Sequence, residues 1–173
     1  MYAVLGIASS AIASRIDVPV VVWIPAGLAV AATLLWEYRA LPGIAAGAFA
    51  SYLYILLVVD ELAFSVQVAC ATLLMAGGIV AQAWVGALIA SRILRNDAGV
   101  ERLRTSALFT CAVGPCAVTV STLFVPVANM IDGAESGESW MAWWVGNSLG
   151  AMLTTTAFLT ILSRRDQIWH GRR

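Results

Sequence analysis

Apolar residues run along this chain in long blocks that part only at short clusters of charge: Arg15-Ile16-Asp17, Glu37-Tyr38-Arg39, Asp60-Glu61, the stretch from Arg92 to Arg104, and the stretch from Asp132 to Glu138. Six apolar spans result, at about residues 1–14, 18–36, 40–59, 62–91, 105–131 and 139–163. All but the first approach or exceed the ~20 residues with which a helix crosses a ~30 Å hydrocarbon core. At ~1.5 Å per residue the first reaches about two-thirds of the way. Either it continues past Arg15 or the true N-terminus lies upstream of Met1. No basic segment opens the chain, which argues against a cleaved signal peptide. The pattern predicts an all-α integral membrane protein with about six transmembrane helices.

Composition supports this class. Hydrophobic residues make up 61% and charged residues 12% of the chain, where a soluble domain carries roughly 25% charged residues; mean hydropathy is +0.86. The ten basic residues are all arginine and balance ten carboxylates, leaving no basic surface of the kind nucleic acid requires. Arginine placement sets an orientation, because short cytoplasmic loops collect basic residues. Arg92, Arg95, Arg102 and Arg104 share one loop and Arg164, Arg165, Arg172 and Arg173 the C-terminal tail, whereas Asp60-Glu61 and Asp132, Glu135 and Glu138 lie in others. Six spans with both termini cytoplasmic satisfy every strongly charged loop; five spans, with the first segment peripheral, fit the later loops as well. Residues 1–163 then form the membrane domain and residues 164–173 a short basic cytoplasmic tail.

Two motifs stand out within the spans: Trp23-Ile24-Pro25-Ala26-Gly27, and Trp143-Trp144-Val145-Gly146-Asn147 followed by Ser148. Both sit about five residues inside spans entered from the outer face, hence at similar depth in the outer leaflet. A Pro-x-Gly within an apolar span is expected to break the backbone, which hydrocarbon tolerates only where protein or a cavity covers it. Trp140 reads as an interfacial anchor. Asn147 follows Trp143, and Ser148 follows Trp144, at four-residue spacing, so each pair shares a helix face. Their polar groups are costly to expose to lipid and point inward. A ligand pocket lined by indole and amide and plain interhelical packing are the two readings.

Small residues recur at helical spacing as Gly43, Gly47, Ser51; as Gly78, Gln82, Gly86, Ala90; and as Gly146, Gly150, Thr154. Such stripes let membrane helices approach closely, and Gln82 within one must hydrogen-bond a neighbour. Gly114-Pro115 predicts a kink in the fifth span. Cys70, Cys111 and Cys116 fall in apolar segments as small packing residues.

Conventional chemistry is missing from the pattern. The one histidine, His170, lies in the tail, so the spans hold no haem, copper or zinc ligand set and no Ser-His-Asp arrangement. Nor do they hold paired carboxylates or a GxxxxGK[ST] loop. The expectation is a protein that is not an enzyme, with no cofactor and no metal.

Trp23-Ile-Pro-Ala-Gly27, then Ala40-Leu-Pro-Gly-Ile44 with Gly47, then Trp140-x-x-Trp-Trp-Val-Gly-Asn147 followed by Gly150, together resemble the MASE1 domain. That family's pattern reads roughly W-P-P-A-G, W-P-G-I-x-x-G and W-x-x-W-W-x-G-D-x-x-G. Order and spacing agree across nearly the whole chain. Ile24 stands where the first proline is usual, Leu41 where an aromatic is usual, and Asn147 where an aspartate is usual, which removes a negative charge. The resemblance implies a multi-pass sensory input domain in a bacterial inner membrane, one that feeds a two-component histidine kinase or a cyclic-di-GMP output module.

No such module follows Arg173 in this sequence, so the output belongs in cis to a longer chain or in trans to a partner. The expected partners are therefore the bilayer, that output module, a small-molecule ligand still to be identified and a second copy of the chain, without nucleic acid. Ligand contacts are expected from Trp23, Pro25, Gly27, Trp143, Trp144, Asn147 and Ser148, and helix packing from Gly43, Gly47, Gly78, Gln82, Gly86, Gly146 and Gly150. Two other classes suit the same pattern: the substrate-binding subunit of an energy-coupling-factor vitamin transporter, and a structural membrane subunit without a ligand.

Overall fold

The computed structural model describes residues 1–16, 22–59, 61–95, 112–123 and 137–170. Among these the regular structure is entirely helical: α1 (Tyr2–Ile16), α2 (Ile24–Trp36), α3 (Leu41–Tyr54), α4 (Val66–Arg95), α5 (Ala117–Thr122) and α6 (Gly137–His170). Two stretches among the described residues are long and apolar enough to cross a membrane, Ile24–Val59 and Val66–Ile93. The first is divided where the charge pattern breaks. Glu37 adopts φ 53 and ψ −143 at the end of α2, and a 3-10 turn over Glu37–Ala40 leads into α3.

Each boundary has a local cause. Ser65 caps α4, its hydroxyl accepting the Val68 N–H at 3.2 Å, which satisfies one of the orphan donors of the first turn. Pro25 does not break a helix as the sequence suggested. It occupies the first turn of α2, where the missing N–H has no intrahelical partner to lose. The expected kink at Gly114-Pro115 is a π turn over Ala112–Cys116 that feeds α5. A second π turn, Ile55–Val59, closes α3. α6 passes the expected boundary at residue 163 and stays helical to His170, because residues 151–170 contain neither Gly nor Pro. The basic segment is therefore helical as far as His170.

Small side chains fill much of the interior among the described residues. Ala26, Ala48, Ser51, Ala71, Thr72 and Ala83 are buried, while Leu73, Trp84, Leu88, Leu153 and Ile161 are exposed. This distribution, small residues inward and large apolar residues outward, suits a lipid solvent: no hydrophobic drive pulls leucines between helices there, and close backbone approach supplies the packing. The same apolar surface would be an aggregation hazard in water. Polar residues in the seams satisfy themselves locally, Thr33 donating to the Ala29 carbonyl at 2.9 Å and Thr72 to the Val68 carbonyl at 2.7 Å. Cys70 and Cys116 lie exposed on the outer surface, not in the packing role expected of them; Cys111 lies outside the described residues.

Helix directions follow from paired glycine contacts. Gly47 meets Tyr2 and Ser51 meets Gly6, so α1 and α3 run parallel, four residues in step. Gly150 meets Trp23 and Thr154 meets Gly27, so α2 and α6 also run parallel.

Candidate functional site

The two tryptophan motifs meet each other. The Trp23 backbone N–H, preceding α2, donates to the Gly146 carbonyl of α6 at 2.8 Å. Gly150 lies directly against the Trp23 carbonyl, leaving no room for a Cβ. A Cβ on Gly27 would lie 2.5 Å from the Gly150 oxygen and 2.6 Å from the Thr154 Cβ. The Thr155 hydroxyl completes the seam by donating to the Gly27 carbonyl at 3.1 Å. Pro25 is fully buried in the same region. Gly27, Gly146 and Gly150 therefore build a backbone-to-backbone clasp between α2 and α6. Replacing Thr155 with Val should cost about 0.5–1.5 kcal/mol, the net worth of one such hydrogen bond, read as a lower unfolding midpoint in mild detergent.

Beneath the clasp four aromatic side chains from four segments come together. The Trp23 and Tyr52 rings stack with centroids 6.4 Å apart and planes inclined by 26°. Tyr2 of α1 belongs to the same core as Tyr52, and Trp143 of α6 packs against both that core and the one holding Trp23. The Tyr2 hydroxyl is within electrostatic reach of the Trp23 indole and of Tyr52, and the Tyr52 hydroxyl within reach of the Trp143 indole. Tyr2 Oη, Trp23 Nε1 and Tyr52 Oη are buried and make no hydrogen bond of strict geometry, although the Trp23 and Trp143 indoles lie near enough to donate weakly to the Tyr2 and Tyr52 hydroxyls respectively. Asn147, one turn beyond Trp143, donates through Nδ2 to the Trp143 carbonyl at 3.0 Å, while its Oδ1 is likewise buried and unpartnered. A buried polar atom left unmatched costs about 1–3 kcal/mol, so four such atoms close together call for a physical explanation.

Sequence reasoning singled out Trp23, Trp143 and Asn147 but missed Tyr2 and Tyr52. The available signal was a tyrosine deep in an apolar span, whose hydroxyl needs a partner when buried. Trp144 is half-buried against the Trp23 core. Ser148 is on the far flank, where its carbonyl lies 3.0 Å from the Cβ position of Gly114 in the π turn. Its hydroxyl, like the Asn147 Oδ1, is buried and makes no hydrogen bond of strict geometry.

The glycine stripes are used unevenly. A Cβ on Gly47 would lie 2.9 Å from the Tyr2 Cβ, and one on Gly86 would lie 2.9 Å from Val30 and 3.2 Å from Ala117. Gly78 and Gln82 are buried on α4. Gly43 is exposed, and a Cβ there would meet nothing within 4 Å. Among the described residues no cluster of His, Cys, Asp or Glu could hold a metal ion.

A family model described as MASE1 matches residues 1–173, the full length of the chain. No curated protein matches it, and no solved structure does.

Proposed function

Because the chain belongs to the MASE1 family, a family of membrane-associated sensory domains, we propose that it is the input domain of a bacterial signalling system and detects a small, uncharged, hydrogen-bonding molecule at the Tyr2, Trp23, Tyr52, Trp143 and Asn147 cluster. The observation that carries this reading is the set of unmatched buried polar atoms on four segments. They offer donors and acceptors without formal charge, since Asn147 stands where the family pattern has an aspartate. Trp23 and Asn147 are buried, so a ligand reaches them only when helices part. Ligand binding then favours one helix packing over another by its differential contacts.

The domain itself is not an enzyme in this reading. It crosses the inner membrane six times with both termini cytoplasmic, and the parallel registers of α1 with α3 and of α2 with α6 support that alternation. α6 is the output rod: it carries Asn147 at the cluster, Gly150 at the clasp, and continues as helix through Arg164 and Arg165. A shift at the clasp is passed to a histidine kinase or cyclic-di-GMP module, in cis or in trans.

Gentle purification from native membranes followed by mass spectrometry tests this reading. A co-purifying kinase or cyclase, with a small polar molecule released from the parent protein and lost on Asn147→Leu substitution, is the expected result. Recovery of an ATPase with a vitamin-sized ligand would overturn it in favour of transport.

A further inference from the structure

Three polar atoms of the aromatic cluster keep a hydrogen-bonding capacity of defined direction. The Tyr2 and Tyr52 hydroxyls lie where the Trp23 and Trp143 indoles donate weakly to them. A phenol oxygen that accepts still has its own O–H to give, so each tyrosine is left as a donor. Asn147 is the reverse case. Its Nδ2 donates to the Trp143 carbonyl at 3.0 Å, while its Oδ1, an acceptor only, is buried and unmatched. Tyr2, Tyr52 and Asn147 are all more than nine-tenths buried, at 5%, 7% and 2% exposure. Around these atoms the walls are apolar: Ile55 and Trp143 each pack against both cores that hold the cluster, and Ala26 and Ala48 are fully buried within them. The cluster offers two donors and one acceptor in an otherwise apolar setting.

We propose that the ligand sensed at this cluster is a lipid-soluble alcohol, a molecule with one hydroxyl group on an apolar body. The inference rests on the sensory reading of the cluster and names the chemistry that is read. A hydroxyl oxygen has two lone pairs and one proton, so it accepts from Tyr2 and Tyr52 and donates to Asn147 Oδ1. No capacity is left over on either side. Water matches less well, because its second O–H would be turned toward apolar walls, where an unmatched donor is costly. In an alcohol that fourth direction is carbon, which the walls hold by dispersion. Ketones and ethers bring no proton for Asn147, and a carboxylate or ammonium brings a buried charge that the cluster does not balance. A secondary amide has the same count of donors and acceptors but spreads it over two heavy atoms. With the Trp23 and Tyr52 ring centroids 6.4 Å apart, the smallest group that meets the count is favoured. Uncharged and carried on hydrocarbon, such a molecule arrives through the bilayer. It enters past Trp143, the one member of the cluster that is only half-buried.

The test uses the protein in lipid nanodiscs, with radiolabelled decanol followed by equilibrium dialysis and protein-free nanodiscs as the partition blank. The parent protein should bind decanol saturably, one molecule per chain. Decyl methyl ether, with no proton to donate, should compete about tenfold more weakly or worse. Tyr52→Phe and Asn147→Leu should each lower decanol affinity about tenfold, equivalent to about 1.4 kcal/mol, and Leu73→Ala on the outer face of α4 should leave it unchanged. Tyr52→Phe removes a buried hydroxyl that makes no hydrogen bond of strict geometry, so its loss of binding is not a folding defect. Binding no greater than the blank, equal competition by decanol and its methyl ether, or decanol binding blind to both substitutions would overturn the proposal. So would tighter binding of N-octylacetamide than of decanol with the same dependence on Tyr52 and Asn147, which would make the ligand an amide and leave the sensory reading standing. That reading falls separately, if no molecule released from the purified parent protein is lost on Asn147→Leu.

Discussion

Gly150→Ala is expected to destabilise the domain by about 1–3 kcal/mol, the usual cost of forcing a methyl group into a filled site. The direction runs against helix propensity, since alanine is favoured over glycine in a helix interior by up to about 1 kcal/mol. Packing wins because the added Cβ would run into the Trp23 carbonyl, and that backbone cannot retreat without stretching the Trp23 N–H bond to the Gly146 carbonyl. Gly150→Leu should abolish folding altogether. Gly43→Ala provides the contrast: with open space at the Cβ position it should gain up to about 1 kcal/mol. Reversible unfolding in detergent mixtures, followed by circular dichroism, measures both. Equal stability of Gly150→Ala and the parent would mean that α2 and α6 do not cross at these residues.

Tyr52→Phe should move stability the other way. Its hydroxyl is buried without a partner, and removing such a group relieves a desolvation cost of about 1–3 kcal/mol, while the ring keeps its stack on Trp23. The ligand-free variant should therefore unfold at higher denaturant than the parent. It should also bind the natural ligand more weakly and signal less, because the atom removed is one that the ligand is proposed to satisfy. This trade of function for stability is what a pre-organised polar site produces. A variant less stable than the parent would show that the Tyr52 hydroxyl already has a partner, and the cluster would then be a closed network rather than a receptor.

The fold was legible wherever local composition decides it. Charge clusters at Glu37-Tyr38-Arg39 and Asp60-Glu61 coincide with the only described non-glycine residues of positive φ, Glu37 and Glu61, because a helix that turns back at a membrane surface does so where solvent meets the chain. Gly114-Pro115 was read as a disruption and is a π turn. Pro25 was misread because its effect depends on where the helix begins. As an interior residue it would break α2, and as a first-turn residue it costs nothing. Tyr2 and Tyr52 carried no pattern, since an isolated tyrosine in an apolar span looks like filler until a second hydroxyl and an indole are placed beside it.

An all-helical membrane domain, the position of its polar breaks and its membership of the MASE1 family were decided by the sequence alone. Hydropathy and motif order are sums over neighbours in the chain and need no knowledge of packing. Tertiary structure alone decided that Gly27 and Thr155, 128 positions apart, share a hydrogen bond. The same holds for the meeting of Tyr2, Trp23, Tyr52 and Trp143 from four separate segments. Those outcomes depend on register between helices, which in lipid is selected by close steric fit rather than by any hydrophobic stripe that a linear pattern could display.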